Sequence, residues 1–226
     1  MHETSQFEQI GSIAQMVQNE GGGYQGDMRH YVAVICLRGK NIYHPYHNLR
    51  HLLHVAWLCY GACRYYCKEL SPRECRNLII AALFHDFNHS GGTAATDDEN
   101  IKMAVEALKR YILEEDRPYI HEIVEIIAST RFPYTVPSRQ LPLVCQIVRD
   151  ADAGQAFSTA WIQETIGLGK EKGRDVIESL VMQHDFLSKV SFETQWAKEL
   201  FGENIAKKMD ETSFLLTVLV GQTVSW

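Results

Sequence analysis

Three short segments concentrate residues that could do chemistry. The run Tyr46-His47-Asn48-Leu49-Arg50-His51-Leu52-Leu53-His54 places histidines four and three positions apart. His85-Asp86 joins an imidazole to a carboxylate with His89 following, and Asp150-Ala151-Asp152 offers two further acids. On a helix, residues three and four apart share a face, so His47, His51 and His54 are expected to project together. The apolar run Leu78-Ile79-Ile80-Ala81-Ala82-Leu83-Phe84 should deliver His85 and Asp86 into the interior. A buried imidazole and a buried carboxylate both need partners, and a divalent cation satisfies the two at once. A nitrogen and oxygen donor set without thiolate suits Mn, Mg, Fe, Zn, Co or Ni and does not select among them.

The elements that must position these groups read as helices. Pro45 suits a first helical turn, and Leu49, Leu52, Leu53, Ala56, Trp57 and Tyr60 recur at helical spacing, which predicts a helix from Tyr46 to about Glu69. Ser71-Pro72-Arg73-Glu74 reads as a cap, a first-turn proline and a third-position acid, opening a helix to Phe84. Further helices are expected over Asp97–Leu113 and Arg117–Thr130, and from near Leu141 to Asp152. Beyond them the same periodicity covers Ala156–Ile166, Arg174–Leu187, Phe192–Phe201 and Glu203–Leu216. An amphipathic opening, Phe7–Val17, precedes a loop at Gly21-Gly22-Gly23, and the apolar Tyr31–Leu37 is read as helix in preference to strand. The predicted fold class is therefore all-α, a single-domain compact helical bundle. It divides into an N-terminal helical segment with a glycine-rich loop (1–42), a metal-binding core (43–155) and C-terminal helices that complete the bundle (156–226).

Composition narrows the function classes. The chain has 226 residues with 22 basic and 28 acidic side chains, a formal charge of −6. That balance argues against a protein that wraps duplex nucleic acid or lies on an anionic membrane, and an anionic substrate would need a local cation. The N-terminus lacks the basic and apolar regions of a secretion signal, and no stretch approaches the ~18 apolar residues of a membrane span, so a cytoplasmic protein is expected. Of six cysteines, Cys59, Cys63 and Cys67 fall on one helix face at four-residue spacing, which fits reduced thiols better than a zinc site.

The order H…HD…D resembles the HD superfamily of metal-dependent phosphohydrolases. Tyr46-His47-Asn48-x-x-His51 is similar to the Y-H-N-x-x-H element of its cyclic-nucleotide phosphodiesterases, and His85-Asp86-x-x-His89 to their H-D-x-x-H element. Glu99-Asn100 and Ile127-Ala128-Ser129-Thr130 accompany those elements in other HD proteins, and the resemblance spans roughly residues 43 to 155. It implies that His51, His85, Asp86 and Asp152 are metal ligands, with Asp86 able to bridge to a second ion. It implies His47 as the general acid for the leaving alkoxide and His89 as an outer group near the phosphate. The implied reaction is attack of metal-activated water on the phosphoester of a nucleotide or related small phosphate, a cyclic phosphodiester among the candidates, with one or two divalent ions per chain. Asn88, Ser90, Gly91 and Ala94 stand where phosphodiesterases carry a second acid and, soon after it, an asparagine, which weakens the expectation of a second ion. No purine-holding clamp aligns after Asp152. Asp150 competes with Asp152 as the closing ligand, and the family ending Ala-Asp favours Asp152.

The remaining candidates receive plainer readings. His54 is expected to hydrogen-bond within the bundle, His30 and His44 to lie in loops, His184 to be core or surface, and His121 to be a ligand only if several metals bind. Arg50, Arg131 and Arg149 are read as surface charges, and Gly91-Gly92 as a turn that could pass close to substrate or form a lid. Two alternatives stay open: a di-iron oxygenase recruiting His89 and His121, and a non-catalytic nucleotide-binding regulator. A small phosphorylated substrate is the expected partner. The apolar end Phe214–Val220 would pack inside the bundle or build a homodimer contact.

Overall fold

Eleven α-helices and no strand form the described part of the chain, residues 11–92 and 95–223 of the computed structural model. They are α1 (Ile13–Gln18), α2 (Arg29–Arg38), α3 (Leu49–Tyr65), α4 (Pro72–Phe84), α5 (Asp97–Tyr111), α6 (Ile120–Ser129), α7 (Leu143–Gly154), α8 (Trp161–Glu171), α9 (Val176–Lys189), α10 (Gln195–Phe201) and α11 (Asn204–Thr223). The all-α expectation holds, and Tyr31–Leu37 lies within a helix, α2. Residues 7–10 of the expected opening helix, and Ala94, lie outside the described residues.

Helix α4 is the axis of the bundle. Ser71 and Glu74 close a reciprocal capping box around Pro72, which fixes where the helix starts. From Cys75 to Phe84 every residue is buried, and α2, α3, α5, α6 and α7 pack around it. Ala81 and Ala82 allow neighbours to approach, while the Leu and Ile side chains each contribute about 1.5–3 kcal/mol of burial. The flanking helices are held by one buried carboxylate. Asp116 accepts from the Tyr31 hydroxyl (2.6 Å), Arg73 (2.6 Å) and both Nε and Nη2 of Arg76 (2.6 and 2.7 Å), tying α2, α4 and the α5–α6 connection together.

Helix α3 begins later than its apolar periodicity suggests. Asn48 caps it, its side chain accepting from the His51 N–H at 3.1 Å, while the amide of Asn48 also donates back to the carbonyls of His44 and Pro45. Pro45, Tyr46 and His47 are therefore outside the helix, and a shared helical face for His47 and His51 is corrected to a loop residue placed beside a first-turn residue. The helix also ends at Tyr65, which leaves Cys67 exposed beyond the helix while Cys59 and Cys63 are buried. All six cysteines are free. Expected and observed bounds differ most over Ala156–Ile166: a 3-10 turn at Gln155–Phe157 and a break precede α8, which runs on to Glu171.

Helices α8 to α11 pack against this core. Two glycines interrupt α8, and both mark close approach: a Cβ on Gly167 would sit 2.4 Å from the Pro45 carbonyl oxygen, and one on Gly169 would overlap Ser179 Oγ. Helix α8 thus presses its backbone onto the loop before α3. Phe214 and Val218 stand exposed on α11, so these two residues of the apolar end are not buried. No helix among the described residues is long and apolar enough to cross a membrane.

Candidate metal centre and its neighbouring dyad

Short connections bring three helix ends to one place. His51 lies in the first turn of α3, His85 follows the last turn of α4 with Asp86 next to it, and Asp152 lies near the end of α7. His51 Nε2 is 3.1 Å from His85 Nε2, 3.1 Å from Asp86 Oδ2 and 3.2 Å from Asp152 Oδ1. His85 Nε2 is 3.2 Å from Asp86 Oδ2 and 3.7 Å from Asp152 Oδ1. Both imidazoles are buried, whereas Asp86 and Asp152 keep partial access to solvent, so the cluster opens on its carboxylate side.

The tautomers are set by the outer partners. The Ala82 carbonyl can only accept, so His85 Nδ1 donates to it at 2.8 Å, and His51 Nδ1 donates to Gln155 Oε1 at 2.8 Å. Both Nε2 atoms are then turned toward the two carboxylates and toward each other, where either protons or a cation would balance the two acids. Donors bound about 2.0–2.2 Å from one cation at right-angled or tetrahedral geometry lie about 2.8–3.6 Å apart, and four of the five separations fall in that range. His51, His85 and Asp152 form a group that could hold a divalent cation, and Asp86 adjoins both of its imidazoles. Burial opposes charge on His51, yet its hydrogen bonds to Asp152 and Asp86 outweigh burial and push it up to about 9. The same carboxylates raise His85 against the opposing effect of burial, and the imidazoles in turn hold Asp86 and Asp152 well below the carboxylate range.

Asp150 and Asp152 face different ways. Asp150 is buried and accepts from the Thr194 N–H (2.8 Å), the Thr194 hydroxyl (2.7 Å) and the Glu193 N–H, anchoring the start of α10. Of the two, Asp152 is the acid that reaches the imidazoles of His51 and His85.

A second trio, His47, His89 and Glu171, adjoins the first. Glu171, the last residue of α8, accepts from His47 Nδ1 through Oε2 at 2.5 Å and from the Tyr46 and His47 N–H groups through Oε1 at 2.7 and 3.0 Å. These bonds hold its carboxyl down to about 2, against the opposing effect of burial. His47 stacks on His89 with ring centroids 3.6 Å apart, and its ring is 5.9 Å from that of His51. His89 faces the Gly91 N–H through Nδ1 (3.1 Å) and Asn100 through Nε2 (2.9 Å), and burial lowers it to about 4. With those nitrogens engaged and Glu171 bonded directly to His47, the trio stands here as a hydrogen-bonded dyad braced by the His89 ring, although its three donors lie close enough to hold an ion. Gly91 and Gly92 have φ of +75° and +51°, and a Cβ on Gly92 would lie 2.5 Å from the Glu171 carbonyl oxygen. The glycine pair lets the turn after His89 lie against Glu171.

Glu171 is the functional candidate that sequence reasoning missed. Its only signal is Gly167 and Gly169 inside an amphipathic run, residues that weaken a helix unless another backbone must come close.

The other candidates take varied places. His54 is close to Trp57, with ring centroids 5.6 Å apart, and burial lowers it to about 4. His30 is in α2, not a loop, and bonds the Tyr111 carbonyl. His44 lies in the loop before α3 with Nδ1 buried and unpartnered, packed over Gly91. His121 is exposed on α6, so it does not join the cluster, and His184 lines a cavity between α9 and α11. Arg50 pairs with Glu164 (2.8 Å) and Arg131 with Asp98. Arg149 is not a surface charge. It is buried, donates to the Ser129 and Val136 carbonyls and the Ser138 hydroxyl, and stacks on Tyr134 at 4.2 Å, which pins the loop between α6 and α7.

Residues 48–156 match the family model of the HD domain. No curated protein matches the chain.

Proposed function

We propose that this chain, whose residues 48–156 match the HD domain of metal-dependent phosphohydrolases, hydrolyses a phosphoester of a nucleotide or related small phosphate. The observation that carries the reading is the convergence of two imidazole nitrogens and two carboxylates beside a carboxylate-oriented histidine.

His51, His85, Asp86 and Asp152 would hold the cation. When bound there, a divalent ion supplies Lewis acidity to phosphoryl oxygens and acidifies water. The side chains around it do the rest. Gln155 and the Ala82 carbonyl keep the two ligand imidazoles in the correct tautomer, as partners beyond the ligands do in metal sites generally. Glu171 fixes His47 with Nδ1 as the donor toward the carboxylate, which leaves Nε2 to carry the mobile proton. As the bond between phosphorus and the leaving oxygen breaks, that proton passes from Nε2 to the oxygen, while Nδ1 stays bonded to Glu171. His89 holds the flat face of His47, so the ring cannot swing away. Its neutrality suits a packing role better than a phosphate-gripping one.

The geometry favours hydrolysis over the oxygenase alternative, because neither His89, engaged with Gly91 and Asn100, nor the exposed His121 is free at the cluster to serve a second iron. The test is turnover by metal-analysed protein on cyclic mononucleotides, dinucleotides, nucleoside monophosphates and bis(p-nitrophenyl) phosphate, with Mn, Mg, Fe, Co and Ni. Hydrolysis abolished in both His85→Ala and Asp86→Ala supports the reading. Full metal loading without turnover of any phosphoester sinks it.

A further inference from the structure

Asn41 lies outside the residues matched to the HD domain, yet its side chain joins the two parts of the proposed site. The residue is buried, 1 % exposed. Its amide nitrogen donates to the His47 carbonyl at 2.7 Å and to the Asp86 carbonyl at 2.8 Å. Its oxygen accepts from the Asn88 N–H at 2.9 Å. Two carbonyls on one side and an N–H on the other fix the orientation of the carboxamide without ambiguity. Asn88 reciprocates: its own side chain accepts from the Lys40 N–H at 2.8 Å, and it holds a left-handed backbone, φ +63°, that asparagine tolerates.

The proposed acid His47 and the proposed ligand Asp86 reach the site on separate segments, the loop before α3 and the turn after α4. Glu171 orients the His47 ring, but its hydrogen bonds run only to the loop before α3. Asn41 bonds the backbones of both residues through one nitrogen. We propose that Asn41 is a positioning residue of the proposed phosphohydrolase, setting the distance between the His47 proton donor and the Asp86 end of the metal centre. The inference rests on the hydrolytic reading above. Its consequence is confined to the step in which the phosphorus–oxygen bond breaks and the leaving oxygen takes the His47 proton.

The test compares wild type, Asn41→Ala, Asn41→Ser and His47→Ala on two substrates. Bis(p-nitrophenyl) phosphate releases a weakly basic phenolate that hardly needs a proton, whereas diphenyl phosphate releases a more basic one that does. A displacement of about 1 Å in a catalytic group costs on the order of a hundredfold, so Asn41→Ala should lose about that factor in kcat on diphenyl phosphate. It should lose far less on the activated substrate, keep KM and metal content, and add nothing further in the double variant with His47→Ala. Asn41→Ser, which keeps one donor, should recover part of the rate. In metal-free protein, 15N-histidine spectra should show the bonded Nδ1–H of His47 in wild type and its loss or shift in Asn41→Ala. Equal losses on both substrates, or an unchanged His47 signal, would overturn the proposal. If wild type turns over neither of these substrates nor any phosphoester of the panel above, the hydrolytic reading has failed, and the spectra still decide whether Asn41 places His47.

Discussion

Glu171 Oε2 lies 2.5 Å from His47 Nδ1 across 124 positions of sequence, so the C-terminal helices complete the site as well as the bundle. Replacing Glu171 by Gln removes the carboxylate that accepts from His47 Nδ1 while keeping the shape. The expected outcome is a fall of about 10²–10³-fold in kcat on substrates with basic leaving groups, by analogy with loss of an orienting acid, with metal content unchanged. Steady-state kinetics beside metal analysis checks it.

The same bond predicts an acid limb in stability. The Glu171 carboxyl is lowered from its ordinary 4.5 to about 2 by His47 and the two N–H groups, against the effect of burial. A depressed folded-state value stabilises above the unfolded value, and the contribution is lost as pH falls from about 4.5 toward 2. Glu171→Gln should therefore lie below wild type at neutral pH and converge with it toward pH 2. Urea unfolding at several pH values reads the difference, and parallel curves would contradict it.

Gly167→Ala sets helix propensity against packing. Alanine raises intrinsic helix propensity by about 1 kcal/mol, but its Cβ would lie 2.4 Å from the Pro45 carbonyl oxygen, which must move. The net effect should be destabilising and should lower kcat through displacement of the loop carrying His47. A rise in melting temperature with full activity would show that α8 does not press on that loop.

Asp150 and Asp152 should separate cleanly on substitution by Asn. Asp152→Asn should lose metal and activity while remaining folded. Asp150→Asn should keep metal and lose about 1–3 kcal/mol, because Glu193 and Thr194 lose a charged acceptor. Metal content and unfolding curves distinguish the two.

The buried staple predicts the largest stability loss. Asp116→Asn leaves Arg76 without its buried counter-charge and should cost about 3–5 kcal/mol in equilibrium unfolding.

Groups carried by local pattern are legible in the sequence, and those carried by long-range packing are not. The capping box at Ser71 and the apolar run before His85 are contiguous signals, and they locate α4 and the His-Asp pair within a residue. Metal-ligand candidates can be named because the HD elements are short motifs, each contained in a few positions. The start of α3 escapes such reading because hydrophobic periodicity says nothing about whether Asn48 or a residue upstream will cap. That choice is made by Glu171 taking the Tyr46 and His47 N–H groups. Arg149 is misread for a related reason: a single arginine on a helix gives no hint that the end of α6, two acceptors of the following loop and a tyrosine ring will enclose it.

The separation of Glu171 from the metal centre also orders events during translation. All four candidate ligands have been synthesised once Asp152 is added, whereas the partner of His47 is made later, and chains grow at about 5–20 residues per second. The candidate cation-binding set is therefore complete in the chain before the carboxylate that orients His47 exists. Chains terminated between Asp152 and Glu171 and released would carry all four candidate ligands with no partner for His47 Nδ1, which separates the assembly of the cluster from the orientation of its neighbour.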